Sequence, residues 1–219
     1  TLIIGGIVNK FKSNNISGSG NIIVVEADEF DKSFLSLSPT FSIINNLDLE
    51  HLDCYENLED LQNAFTQFAN AIPFYGKVAI CSDYSNTTDI IPNIKRPIIT
   101  FGTNNKANVE GLNFCYNQND TNFNVIVDNN SLGGINIHVP GKHNVINALG
   151  AITLALELDI PFDKIQSGLD QYNGVRRRFD IKYSLKNGIM IIDDYAHHPS
   201  EVKSTIEAAK TGWDCRIIA

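Results

Sequence analysis

Cysteine is scarce in this 219-residue chain, and the four present, Cys54, Cys81, Cys115 and Cys215, include no Cys-x-x-Cys pair. That excludes a zinc knuckle and a disulfide-stapled scaffold, and it leaves reduced, mostly buried thiols as the expectation. Basic residues are also few: 17 Lys and Arg stand against 25 Asp and Glu, a net charge of −8. Such a chain lacks the electrostatic footprint of a general nucleic-acid or anionic-membrane binder. A phosphate ligand would have to be held by local devices, such as a metal ion, a few arginines or helix N-termini. No apolar run approaches the ~18 residues of a membrane-spanning helix, and no basic region precedes a long apolar stretch at the opening Thr1-Leu-Ile-Ile-Gly-Gly6. A cytoplasmic location without membrane insertion is expected. There is no Gly-x-x-x-x-Gly-Lys-Ser/Thr anywhere, so a self-contained P-loop is missing. Position 1 is not Met, and Arg216-Ile-Ile-Ala219 reads as the middle of a strand. A fragment of a longer protein is therefore expected.

What is present is ordinary globular material, 43% hydrophobic and 19% charged. Short β-rich runs recur at Asn21-Ile-Ile-Val-Val-Glu26, Phe41-Ser-Ile-Ile-Asn-Asn46, Lys77-Val-Ala-Ile-Cys-Ser82 and Pro97-Ile-Ile-Thr-Phe101. Their lack of alternation predicts strands buried on both faces, as in a parallel sheet. Between the second and third, Leu58, Leu61, Phe65, Phe68 and Ile72 repeat at helical spacing on one face before Pro73. Strand, helix and strand in that order make an α/β crossover. Phe123-Asn-Val-Ile-Val127 and Ile135-Asn-Ile-His-Val139, joined by Asn-Asn-Ser-Leu-Gly-Gly, predict a β-hairpin. A helix over 143–158 and a second one started by Pro161 follow. The segment Tyr172-Asn-Gly-Val-Arg-Arg-Arg-Phe179 breaks the pattern, and the boundary is placed at 176/177. Beyond it, Gly188–Asp193 as strand, Pro199–Lys210 as helix and Cys215–Ile218 as strand predict a new β-α-β unit.

Five segments carry residue types suited to chemistry. Glu26-Ala-Asp-Glu-Phe-Asp31 sets four carboxylates after a strand, where open α/β sheets bind ligands and where hard oxygens suit magnesium; a solvated acidic loop is the bland alternative. The next strand ends in Asn45-Asn-Leu-Asp-Leu-Glu-His-Leu-Asp53, and if the two strands are neighbours, Glu26 and His51 meet at one site. Asp193-Asp-Tyr-Ala-His-His-Pro199 again joins a strand to a helix start, which can hold a phosphate or a ribose, or can simply be capped by Asp or Ser200. Arg176-Arg-Arg178 is either a polyphosphate site or a solvated linker. Asn144 and Asn147, three apart, share a helix face where amides cap the helix or read a nucleobase edge.

Taken in order, Val25-Glu-Ala-Asp-Glu-Phe-Asp31, Asn46-Leu-Asp-Leu-Glu-His-Leu-Asp53, Pro140-Gly-Lys-His-Asn-x-x-Asn147, Gly174-Val-Arg-Arg-Arg-Phe179 and Asp193-Asp-Tyr-Ala-His-His-Pro199 closely resemble the Mur ligase family, with Pro73-Phe-Tyr-Gly76 in support. The resemblance covers essentially the whole chain. It implies an α/β fold with a mostly parallel sheet: residues 1–176 as the central ATPase domain after its P-loop, and 177–219 as the start of a Rossmann-like C-terminal domain. It places the P-loop upstream of Thr1 and the remaining substrate-binding part beyond Ala219. It implies a bacterial, ATP- and Mg2+-dependent ligase of peptidoglycan precursor synthesis. UDP-N-acetylmuramate and L-alanine would be its substrates, joined through an acyl phosphate. On that match Glu26 and His51 would hold magnesium and serve catalysis, and Asn144 and Asn147 would lie by the adenine. Arg177 and Arg178 would meet the polyphosphate, with Asp194, His197 and His198 on the far side of the cleft; Asn46, Ser17 and Ser19 would face the UDP-sugar. Phe30 and Glu50 depart from the pattern, standing where a small residue and an Asp are expected. The rivals are a ligase that recycles a tripeptide onto the same sugar, more remotely a folate polyglutamate ligase, and a non-catalytic nucleotide-binding piece. A metallohydrolase built on Glu26, His51, His197 and His198 is disfavoured by the absence of His-x-x-x-His spacing.

Overall fold

A computed structural model describes residues 1–48, 53–104, 106–185 and 188–219. Its strands are β1 (Leu2–Val8), β2 (Ser13–Ile16), β3 (Val24–Val25), β4 (Phe41–Ile44), β5 (Lys77–Cys81), β6 (Ile98–Gly102), β7 (Val109–Asn117), β8 (Asp120–Val127), β9 (Asn130–Ile137), β10 (Asp180–Ser184) and β11 (Met190–Asp193). The helices are α1 (Leu58–Asn70), α2 (Ser85–Thr88), α3 (Lys142–Glu157), α4 (Phe162–Asp170) and α5 (Pro199–Gly212).

The main sheet has six strands in the order β4-β5-β6-β7-β8-β9. Pairing is parallel from β4 to β7 and antiparallel from β7 to β9. β5 is buried along nearly its whole length, as an unbroken apolar run on a doubly covered strand requires. One face packs on α3, where Leu149, Ile152 and Val145 meet Phe101, Phe123 and Val125. The other packs on α1, whose Leu61, Phe65 and Phe68 join Ile72 and Ile80, with Leu58 at the margin. Asn57 starts α1 by accepting the Asp60 amide at 2.9 Å. The α/β architecture with a parallel-rich sheet is the one the sequence predicts.

Several local expectations are corrected. The 21–26 run is not a buried strand of this sheet: only Val24–Val25 is extended, Ile23 is 64% exposed, and the pair lies parallel to β1 in a separate sheet, β2-β1-β3. The opening segment, as β1, takes the pairing that β4 was expected to provide. Glu26 and the end of β4 are consequently not on neighbouring strands. The hairpin turn falls at Asp128-Asn129, both at positive φ (45° and 68°), which shortens the loop to a two-residue turn and extends both strands. After the boundary the chain makes an antiparallel hairpin, β10-β11, before α5, and 215–218 is not a strand. Two of the four thiols, Cys115 and Cys215, are exposed rather than buried.

The boundary segment is stitched to β1. Val175 bridges Val8, the Asn9 amide donates to Gly174 O at 3.1 Å, and the Arg176 amide donates to Ile7 O at 2.9 Å. Immediately beyond, Arg177 and Phe179 both hold positive φ, 59° and 46°.

Candidate functional site

The C-terminal ends of β4 and β5, the first turns of α3, the boundary segment and the first turns of α5 enclose a cleft of about 660 Å³. Its position follows from the sheet: parallel strands deliver their loops to one edge, and the crevice forms there. Asn46 and Asp48 come from the loop after β4, Asp83 and Tyr84 from the loop after β5, and Asn86 from α2. His143, Asn144 and Asn147 come from α3, Tyr172, Arg178 and Asp194 from the boundary side, and Ser200, Glu201 and Ser204 from α5.

The α3 wall depends on Gly141. It holds φ +95°, and a Cβ there would sit 2.8 Å from Ala208 Cβ and 2.8 Å from the His143 ring. The absent side chain lets α5 and the imidazole approach together. Burial holds His143 below the ordinary histidine range; Asp194 opposes that shift and Arg178 adds to it. A neutral ring whose Nε2 faces the Asn144 amide at 3.1 Å results. Asn144 donates to Pro140 O at 2.7 Å. It therefore braces the approach to the helix without accepting an N-terminal amide, and Gly141 occupies the cap position. Asn147, one turn along, is exposed on the cleft.

Asp83 escaped the sequence reading. Its side chain is only 4% exposed, and it accepts the Thr103 amide at 2.8 Å and the Thr103 hydroxyl at 2.5 Å, with Lys142 Nζ 3.9 Å away. Gly102 permits this, since a Cβ there would lie 2.4 Å from Asp83 Oδ1. The signal was available: Ser82-Asp-Tyr84 is a polar run ending a buried strand.

On the opposite wall, Asp194 takes the Phe179 amide at 2.7 Å and the Ala196 amide at 2.8 Å. Arg178 donates to Glu201 at 3.2 Å, and Arg177 lies over the Tyr195 ring at 4.6 Å. Glu201, not Asp or Ser200, completes the α5 cap, accepting the amides of His197 at 3.1 Å and His198 at 3.4 Å. Burial alone would raise its carboxyl; those amides and Arg178 outweigh burial and leave it below the ordinary carboxylate range.

The cleft thus gathers Asn46, Asn144, Asn147, Arg178 and Asp194. Arg177, His197 and His198 flank it, on the same loop and helix start. Glu26 does not line it; the carboxylate is exposed and accepts the Gly5 amide at 2.6 Å. Ser17 and Ser19 are exposed and likewise outside the lining. His51 lies outside the described residues. Among the described residues, no group of three His, Cys, Asp or Glu side chains is arranged to hold a metal ion.

Residues 9–155 match the family model described as the Mur ligase middle domain, two thirds of the chain, and residues 177–219 match the Mur ligase, glutamate ligase domain. The chain belongs to the Mur ligase family. A UDP-N-acetylmuramate–L-alanine ligase of Chlorobium chlorochromatii is 47% identical to this Mur ligase chain over 213 residues, 97% of the chain and 46% of the relative. The crystal structure of a UDP-N-acetylmuramate–alanine ligase from Thermotoga maritima superposes with a TM-score of 0.80 at 28% identity, covering 94% of this chain and 46% of that one. A murein peptide ligase from Psychrobacter arcticus gives a TM-score of 0.65 at 26% identity, covering 89% and 42%. The chain spans slightly under half the length of these relatives.

Proposed function

We propose that this chain is the nucleotide-facing part of a bacterial, cytoplasmic ligase that joins L-alanine to UDP-N-acetylmuramate at the expense of ATP, with 1–176 as central domain and 177–219 opening the C-terminal domain. The observation that carries it is the meeting, in one strand-edge cleft, of the α3 amides Asn144 and Asn147 with Arg178 across from them. Support for L-alanine comes from the 47% identical relative, which bears that name. No helix among the described residues is long and apolar enough to cross a membrane.

The chemistry is phosphoryl transfer followed by acyl transfer. The lactyl carboxylate of the sugar takes the γ-phosphoryl group, the alanine amine attacks the acyl phosphate, and phosphate leaves. Such transfer needs positioning and charge neutralisation more than covalent help. Asn147 offers paired donor and acceptor groups to the adenine edge, and Asn144 fixes the helix turn that presents it. Arg178, held by Glu201, and Arg177, held on Tyr195, place two guanidiniums for the polyphosphate. Asp194 keeps that segment folded, and His197 and His198 flank the same side. Asn46, Ser17 and Ser19 are assigned to the UDP-sugar. Glu26 presents a hard oxygen donor fit for magnesium, which takes one or two carboxylates with phosphate and water, and His51 is assigned with it. When bound, the ion would neutralise phosphate charge.

The test is alanine-dependent phosphate release with ATP, magnesium and UDP-N-acetylmuramate, run on this chain and on a full-length family protein that contains it. Turnover is expected only in the longer protein and is lost in Glu26→Ala and His51→Ala. Release with the tripeptide but not with L-alanine would replace the substrate; silence with both would overturn the activity.

A further inference from the structure

One contact spans the cleft without belonging to either wall's own fold. Ser200, at the second position of α5, gives its hydroxyl proton to Asp48 Oδ2 at 2.5 Å, a residue 152 positions earlier in the loop after β4. A serine hydroxyl has one proton, so the 2.6 Å contact between its oxygen and His198 Nδ1 must be donated by the imidazole. The same imidazole nitrogen lies 3.6 Å from Asp48 Oδ2. An aspartate therefore faces the N-terminal turn of a fourteen-residue helix, where negative charge is favoured. That turn also contains Glu201, which holds Arg178 and the His197 and His198 amides.

We propose that Asp48 and Ser200 form a cross-cleft clamp that positions Arg178 for its ligand through the first turn of α5. Arg178 reaches the cavity from an exposed segment, where its guanidinium pairs with Glu201 at 3.2 Å and lies 6.0 Å from the Tyr195 ring centroid. Glu201 can aim it only while the α5 turn is itself fixed relative to β4, and the Asp48–Ser200 bond fixes it. Both clamp residues act through Arg178 and are positioning residues. The proposal rests on the nucleotide reading of the cleft only for its ligand; the clamp itself is a property of the chain without one.

Two readouts separate these. Hydrogen exchange in the ligand-free chain reports the turn, through the Val202 amide bonded to His198 O at 3.0 Å and the amides that follow it. Ser200→Ala and Asp48→Asn are each expected to speed exchange there by about tenfold, the scale of one charge-assisted hydrogen bond, with β5 and β6 amides unaffected. The double variant exchanges no faster than either single one, and Ser200→Thr, which keeps the hydroxyl, restores protection. Binding of ADP, the probe ligand, weakens in the same variants and recovers in Ser200→Thr. Unchanged exchange, additive effects, or equal loss of protection in β5 would overturn the clamp. If the unaltered chain binds no ADP, the nucleotide assignment fails, and the exchange result alone decides the clamp.

Discussion

Asp194 and Phe179 are joined by a 2.7 Å hydrogen bond from backbone amide to carboxylate, which folds the boundary segment back onto the end of β11. The second oxygen of the same carboxylate takes the Ala196 amide, so both lone-pair faces serve the chain's own backbone. Asp194→Asn replaces one acceptor by a donor aimed at an N–H. A loss of ~1–3 kcal/mol in the stability of the C-terminal segment is expected in urea unfolding followed at Trp213, which stacks on Phe179. An unchanged midpoint would return Asp194 to a purely ligand-binding role.

The two asparagines of α3 should separate in their effects. Asn144→Ala removes the bond to Pro140 O and lowers the melting temperature together with nucleotide affinity. Asn147→Ala, on an exposed side chain, leaves the melting temperature alone and weakens ADP binding by about tenfold, as loss of one or two hydrogen bonds predicts. Calorimetry on both variants checks the pair.

Gly141→Ala should be costly beyond its size. The backbone strain of an L-residue at φ +95°, ψ 148° is ~1–3 kcal/mol, and the new methyl group meets Ala208 and His143. Reduced stability with faster exchange in α5 is the expected outcome; Ala208→Gly in the same chain should recover part of it.

His138 lies between two carboxylates, with Nδ1 2.5 Å from Asp120 and Nε2 3.2 Å from Asp170. The Asp120 hydrogen bond is the main cause that raises its pKa; burial opposes it, and Asp170 adds to it. A raised folded-state value stabilises fully below the unfolded-state pKa of about 6.5, and the contribution disappears as pH rises through the folded value. Melting temperature should therefore fall above about pH 6.5 in the unaltered chain, and less steeply in His138→Gln. A steeper fall in the variant would contradict the assignment.

Much of the fold was legible because burial on both faces writes continuous apolar runs, as in β5, and one-sided burial writes the Leu61, Phe65, Phe68 spacing of α1. β1, β7 and β10 escaped for the opposite reason. Their burial is partial or intermittent, and mixed segments such as Val109–Asn117 carry no clean apolar period in sequence. The run 21–26 misled because apolar composition does not say which neighbour pairs with it. In the site, motif order brought Asn144, Asn147, Arg178 and Asp194 to one cleft. The same motifs did not reveal that Asp194 is spent on backbone amides, nor that Asp83 and Ser200 face the same space, because such partners are fixed by packing between distant segments.

The stitching of residues 174–176 to β1 fixes where the chain enters the second wall of the cleft. The chain is bonded to β1 on both sides of Val175, so the segment from Arg177 to Phe179 leaves from a tethered point. The two left-handed, non-glycine residues there make a sharp turn, closed by the Arg178 amide on Val175 O at 3.2 Å and the Tyr195 amide on Arg177 O at 2.8 Å. The far end of α5 is tethered as well, by the Gln118 amide donating to Gly212 O at 3.1 Å, so that wall is anchored to the sheet at both of its ends.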